Sequence, residues 1–285
     1  MSCILFLGPS LGRAEIAATL EAEIRPPAAA GDLLAAARRR PRAIGLIDGY
    51  FDGRLPVWHK EALWAMAQGI HLFGAASMGA LRAAELHGFG MQGVGAIFAA
   101  YRDGTIEGDD EVAVAHGPPE LGYVAVSEAL VNVRATLARA LAEAVLATDA
   151  AQAVLATAAS MPYRARSWPA LLAALPAQLT AVAEELRAWL PKGRVDLKAQ
   201  DARALVAAMA AFLATDPPPL RVGYRLAWTD AWDVLYRQPL AGAGGEPVLE
   251  ELRLAVEELA AVRRAALVRL LAEREAERDR KSTRL

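Results

Sequence analysis

The sequence predicts an α/β protein, with a mostly parallel sheet flanked by helices in Rossmann-like layering and an α-helical domain after it. Two observations lead to this prediction. Short apolar runs alternate with helical patterns through the first half of the chain, which is typical of parallel strands buried on both faces. From about residue 149 onward, only helical patterns and prolines remain. We therefore predict an α/β catalytic domain at residues 1–146 and a helical domain at residues 147–285, which we expect to dock a partner.

Each element of the first half is predicted from a local pattern. Strands are expected where an apolar run ends in a turn, and helices where a proline, a glycine or a cap bounds an apolar period. These patterns place strands at residues 3–7, 43–47 and 70–73, and helices at residues 13–22, 31–40, 56–67, 78–87 and 94–101. Residues 112–114 and 123–126 flank a Gly-Pro-Pro turn and predict a loose hairpin.

In the second half, apolar spacings of three and four predict helices that pack through one face. Ser127 is expected to cap a helix with the stripe Leu130, Val133, Leu137, Leu141 and Val145. Another stripe consists of Leu205, Ala208, Met209 and Phe212. A last helix is predicted from Val248, ahead of a charged tail at residues 273–284.

Composition excludes several classes of function. Lys and Arg number 31 against 33 for Asp and Glu, so no concentrated basic surface for nucleic acid is expected. The longest uncharged apolar run, residues 204–214, is too short to span a bilayer. The single cysteine, Cys3, allows no internal disulfide. We expect a cytoplasmic protein without a metal or nucleotide cofactor, and no Walker motif is present.

Polar and glycine-rich turns follow three predicted strands, at residues 8–10, 48–49 and 74–77. Sites in parallel sheets form at the carboxyl ends of strands, so we expect these turns to meet in one crevice. Ser77 is the sharpest candidate, because its segment AASMG is related to the G-x-S-x-G nucleophile elbow. Backbone N–H groups at the following helix N-terminus could stabilise an oxyanion, and Gly79 in this turn is expected to bind the substrate. The alternative is that Ser77 is only the N-cap of that helix.

A serine nucleophile needs a base, and Lys60 and His59 lie one strand–helix unit earlier. Successive helix residues point about 100° apart, so both cannot face the same atom, and we favour Lys60. A lysine serves as a base only if burial lowers its pKa from about 10.4. The alternative is that Lys60 pairs with an exposed carboxylate.

Further charged residues are candidates for substrate binding. Arg82 and Glu85 lie on the helix after Ser77, where Arg82 could attract an anionic substrate, or where the two could form an intrahelical ion pair without a further role. Asp48, with Asp52, could bind a basic group or a metal, or belong to a strand-terminating turn. The carboxylates at residues 109–111 could suggest a metal together with His116, but consecutive side chains diverge, so a solvated turn is favoured.

These residues belong to an ordered set of motifs. They are IDGYF at residues 47–51, WHKE at 58–61, GAASMGALRAAEL at 74–86, DDEV at 109–112, HGP at 116–118 and VNVR at 131–134. In this order the motifs resemble TfuA-like proteins over about residues 4–135. The shorter segment at residues 75–80 is also similar to the nucleophile segment of Clp-type serine peptidases.

The resemblance to TfuA-like proteins implies a role in peptide-backbone thioamidation. Such proteins act with YcaO enzymes, which activate a backbone amide with ATP for attack by sulfide. The implied activity is hydrolysis of a thiocarboxylated, ubiquitin-fold sulfur carrier of the ThiS type, which releases that sulfide. The expected partners are therefore a YcaO-type enzyme, the carrier and the precursor peptide. Two alternatives stay open: a non-catalytic adaptor that docks onto the YcaO enzyme, and a hydrolase of unrelated acyl substrates.

Overall fold

Five parallel strands form a sheet in the computed structural model, which describes residues 3–237. The strands are β1 (Cys3–Phe6), β2 (Glu23–Arg25), β3 (Ala43–Leu46), β4 (His71–Gly74) and β5 (Gln92–Gly93). Their order across the sheet is β2-β1-β3-β4-β5, and every adjacent pair is parallel. Every residue of β1, β3 and β4 is buried, which explains their continuous apolar character. The predicted α/β class is thereby confirmed.

Eleven α-helices accompany this sheet within residues 3–237. They are α1 (Arg13–Ala17), α2 (Asp32–Arg38), α3 (His59–Ala67), α4 (Met78–Leu86), α5 (Ala96–Arg102), α6 (Leu130–Ala142), α7 (Thr148–Ser160), α8 (Trp168–Ala173), α9 (Thr180–Gly193), α10 (Leu197–Ala214) and α11 (Asp230–Arg237). The strand–helix alternation of the first half and the helical character of the second half agree with the prediction.

Two short strands were not predicted, and several boundaries differ. Strand β2 carries the charged residues Glu23 and Arg25 around one isoleucine, so no apolar run marks it. The predicted helix at residues 13–22 ends at Ala17, and the chain turns into β2. The prediction that Ser127 caps α6 is wrong, because its hydroxyl accepts the Ala115 N–H at 2.8 Å instead.

The helical half has a core of its own. Leu130, Val133 and Leu137 of α6 lie in it as predicted, whereas Leu141 is exposed and Ala140 is buried instead. Residues from α7, α8 and α9 complete this core, among them Val154, Leu171 and Leu186.

Helix α10 packs on the sheet although it lies beyond the predicted boundary at residue 146. Its residues Ala202, Leu205, Val206 and Met209 share one apolar cluster with Cys3, Leu5 and Phe73. The stripe that contains Leu205 and Met209 is the one predicted from the sequence, and it packs against the sheet. The two predicted domains therefore share a core through α10.

The chain divides into two compact units, Met1–Asp233 and Val234–Leu285. Of the second unit, the structure describes only the end of α11. The last helix and charged tail predicted from Val248 lie outside the described residues. Within residues 3–237, no helix combines the length and the apolar character that a membrane span requires.

Candidate functional site

The strand order reverses between β1 and β3, and Asp48 lies at this point, just beyond the end of β3. In open parallel sheets such a reversal opens a crevice at the carboxyl ends of the strands. The Asp48 carboxylate is buried, and it accepts the N–H groups of Gly8 at 2.8 Å and Ser10 at 3.1 Å. Its other oxygen accepts the Ser10 hydroxyl at 2.6 Å. Asp48 thus ties the loop after β1 to the loop after β3.

Ser77 occupies the tight turn between β4 and α4. The preceding Ala76 has φ of 66°, in the left-handed region that only small or specially held residues adopt. Gly79 packs so closely on β3 that a Cβ there would overlap the Leu46 carbonyl oxygen. Ser77 is the N-cap residue of α4, as the alternative interpretation had it, but its side chain makes no capping hydrogen bond to the helix. The small residues of AASMG therefore let the chain place a serine hydroxyl against the neighbouring strand ends.

The partner of the Ser77 hydroxyl is Lys198, from the first turn of α10. Lys198 Nζ lies 3.2 Å from Ser77 Oγ and donates to the Val112 carbonyl oxygen at 2.7 Å. The side chain is buried, and this burial lowers the pKa of Lys198, although the charges of nearby Asp48, Asp196 and Glu128 act in the opposite direction. A buried lysine with a lowered pKa next to a serine is an arrangement that can activate the serine as a nucleophile.

A buried polar network holds the start of α10 in place. The Asn132 side chain accepts the Lys198 backbone N–H at 3.1 Å and donates to Asp196 at 3.2 Å and to Glu128 at 2.9 Å. Asp196 in turn accepts the Ala199 N–H at 3.0 Å, as an N-cap of α10 does. Asn132, in the VNVR motif, therefore holds the start of the helix that carries Lys198.

A cleft of about 220 Å³ opens onto Ser77. Its polar lining consists of Asp48, Tyr50, Asp52, Ser77, His116, Tyr163 and Arg164. The His116 ring lies 6.0 Å from the ring of Tyr50 and 5.6 Å from that of Tyr123. The cleft is smaller than the roughly 300–1,000 Å³ of pockets for drug-sized ligands.

The two predicted bases are placed differently from Lys198. Lys60 Nζ donates to Thr229 Oγ1 at 2.8 Å, on an exposed part of the surface. His59 Nε2 lies 2.8 Å from Glu85, and its side chain is half exposed. The lysine that contacts Ser77 is therefore Lys198 rather than Lys60, because α10 and not α3 approaches the turn after β4.

Arg82 and Glu85 form the intrahelical ion pair that was the alternative interpretation, with Arg82 Nη1 2.7 Å from Glu85 Oε2. Arg82 Nε also donates to the Val57 carbonyl oxygen at 3.0 Å. The guanidinium thereby links α4 to the segment before α3 through its Nε and Nη1 groups. The backbone N–H of Gly79 also has an acceptor within the protein, because it donates to the Ile47 carbonyl oxygen at 3.2 Å.

The acidic segment at residues 109–111 is held by arginines. Glu111 accepts hydrogen bonds from Arg134 at 2.6–3.2 Å, and Asp110 pairs with Arg166 at 3.1 Å. Among the described residues, no group of three or more His, Cys, Asp or Glu side chains is placed to hold a metal ion.

Lys198 was missed because it lies 121 residues from Ser77 in the sequence. One signal could have found it. The chain has only four lysines, and Lys198 stands in the first turn of a helix whose apolar stripe was already recognised. A lysine beside such a stripe is a candidate for burial.

The fold and the site define an α/β protein with a serine–lysine pair at the carboxyl ends of a parallel sheet. Residues 48–167 match the family model described as TfuA-like protein. The match covers less than half of the chain and supports the resemblance to TfuA-like proteins that the motifs predicted; the matched segment includes Ser77 and Asn132 but not Lys198. No curated protein matches the chain.

Proposed function

We propose that the chain is a thiocarboxylate hydrolase of the TfuA-like family, in which Ser77 is the nucleophile and Lys198 its base. The observation that carries the proposal is the contact of Lys198 Nζ with Ser77 Oγ beside the cleft, with the lysine buried. The substrate class comes from the family: a thiocarboxylated ubiquitin-fold carrier of the ThiS type. The released sulfide would serve a YcaO enzyme in peptide-backbone thioamidation.

The proposed reaction balances with water as the only co-reactant. Neutral Lys198 takes the proton of Ser77 Oγ as this oxygen attacks the thiocarboxylate carbon. The C–S bond then breaks, and sulfur leaves with the proton that Lys198 holds. Water hydrolyses the resulting Ser77 ester, with Lys198 again accepting a proton, and the carboxylate and a second proton are released. In this proposal the oxyanion donor is the N–H group of Met78, the first residue of α4, because the first turn of a helix has no intrahelical acceptors for its N–H groups.

The size of the cleft supports a chain end as the reacting group. About 220 Å³ admits the last residues of an extended tail but not a folded domain. A carrier that bears its acyl group at a flexible C-terminus meets this requirement.

The test is sulfide release from the thiocarboxylated carrier by the chain alone, without a YcaO enzyme. We expect release by the wild type and none by Ser77→Ala. Ser160→Ala is the matched control, because Ser160 Oγ is exposed and bonds only to the preceding helical turn in the described structure. Release by Ser77→Ala at the wild-type rate would remove Ser77 from the nucleophile role.

The second candidate function is a non-catalytic adaptor that docks onto the YcaO enzyme and presents sulfide or peptide. The exposed apolar side chains Leu121, Val124 and Val126, in the segment that follows cleft residue His116, favour a docking role. Absence of release by wild type and variant alike, with normal thioamidation once the YcaO enzyme is added, would favour the adaptor.

A further inference from the structure

Three polar residues meet at the cleft that Ser77 lines. The Tyr163 hydroxyl donates to Asp52 Oδ2 at 3.2 Å, and an Arg164 Nη2 group donates to the same oxygen. Arg164 Nε donates to the Tyr163 hydroxyl oxygen at 2.9 Å, so the two donors are themselves joined. A guanidinium and a hydroxyl that converge on one carboxylate oxygen constitute an anion-binding arrangement.

The two sides of this cluster are anchored differently. Tyr163 and Arg164 stand beside Arg166, which is fully buried and donates to the carbonyl oxygens of Ala158 and Met161 and to Asp110. Asp52 lies in an exposed loop next to Gly53, where a side chain would meet no other atom within 4 Å. The buried Arg166 therefore anchors the backbone on the donor side of the cluster, while Asp52 belongs to an exposed loop.

Arg164 is also the arginine that lines the cleft with Ser77 in the described part of the chain. Arg82, which the sequence suggested as the anion-binding residue, is not among the residues that line the cleft, and its Nε and Nη1 groups donate to the Val57 carbonyl oxygen and to Glu85. An anionic chain end in the cleft would meet Arg164 instead.

We infer that Arg164 and Tyr163 form an anion subsite of the cleft that binds the terminal thiocarboxylate or carboxylate of the substrate, and that Asp52 occupies this subsite until the substrate displaces it. The inference rests on the proposed function for the identity of the substrate. Asp52 is thereby an internal competitor for Arg164, and its loop swings aside when the chain end enters.

The exchange is energetically feasible because the pair is exposed. The Arg164 and Asp52 side chains are 55% and 56% accessible, and ion pairs at such positions contribute little to stability. The hydrogen bond from Arg164 lowers the pKa of Asp52, so its carboxylate stays ionised at neutral pH and remains a stand-in for the substrate anion.

The test compares two acyl substrates of one peptide, a C-terminal thiocarboxylate, which is anionic, and its methyl thioester, which is neutral. We expect Arg164→Ala to lower the ratio of kcat/KM for the anionic to the neutral substrate about tenfold, with Arg164→Lys between it and the wild type. Asp52→Asn should lower KM for the anionic substrate several-fold, because the competitor is removed. Arg203→Ala is the matched control, since Arg203 forms an equally exposed pair with Glu15.

If Arg164→Ala leaves the ratio of kcat/KM for the anionic to the neutral substrate unchanged, the anion subsite is refuted. If Asp52→Asn leaves KM for the anionic substrate unchanged, the role of Asp52 as a competitor is refuted. If the wild type hydrolyses neither substrate, the proposed function fails, and binding then decides the subsite. In that case the wild type should bind the C-terminal carboxylate peptide more tightly than its amide, and Arg164→Ala should abolish the difference. Equal binding of carboxylate and amide would contradict the subsite independently of catalysis.

Discussion

Replacing Lys198 by methionine separates its role in catalysis from its role in folding. Methionine has a similar length and no amine, so Lys198→Met leaves the Val112 carbonyl oxygen and the Ser77 hydroxyl without the hydrogen bonds that Nζ makes. A buried carbonyl without its partner costs about 1–3 kcal/mol. Removing a desolvated amine returns a similar amount, because apolar replacements of buried ionisable groups are often neutral or stabilising. The free energy of unfolding should therefore change by less than about 2 kcal/mol.

The effect on catalysis should be much larger. A positioned general base contributes about 10²–10⁴-fold to the rate. Among the described residues, no other basic side chain forms a hydrogen bond with Ser77 Oγ. We expect sulfide release by Lys198→Met to fall by this factor, with little change in carrier binding. Labelling of Ser77 by a fluorophosphonate should slow in parallel, because it depends on the same activated oxygen.

The assay pairs initial rates of sulfide release with urea unfolding of the same preparations. Lys192→Met is the control, since Lys192 is an exposed lysine on α9. A folded Lys198→Met protein that retains more than about a tenth of the wild-type rate would refute the role of Lys198 as base.

The remaining predictions concern the scaffold around the site. Burial raises the pKa of Glu61 from 4.5 to about 7, so the folded state binds the proton of this carboxyl group more tightly than the unfolded state does. The stability that the protonated carboxyl group contributes at acidic pH is lost as the pH rises through 7. That loss is about 3 kcal/mol, and urea unfolding at pH 5 and 8 should show a flatter pH dependence for Glu61→Gln than for the wild type. Gly79→Ala should destabilise the fold by about 1–3 kcal/mol through overlap with β3, whereas Gly88→Ala, in open space, should leave the melting temperature unchanged. Asn132→Ala should lower kcat for sulfide release and leave KM nearly unchanged, because it loosens the start of α10. A variant with unchanged kcat and a raised KM would contradict this prediction.

The sequence encodes the sheet better than it encodes the site. Strands β1, β3 and β4 could be predicted because a parallel strand buried on both faces must be apolar throughout. Strand β2 could not, because its two charged residues leave no such run. The position of Ser77 follows from the turn after β4, which is local. Its contact with Lys198 joins residues 121 positions apart, and no local pattern reports such a pair. Lys60 was favoured because it is near in sequence, whereas the fold brings a different helix to the turn.

Helix α10 connects the helical half of the chain to the site in two ways. Lys198 reaches Ser77, and one turn later Asp201 accepts the N–H groups of Ala96 and Ile97 at the start of α5. The same helix buries Leu205 and Met209 in the core of the sheet. Removing everything after residue 146 would therefore take away a proposed base and part of the core together. Loss of activity in such a truncated chain would say nothing about partner docking, so the docking role of the helical half has to be tested by substitutions on exposed surfaces of the full chain.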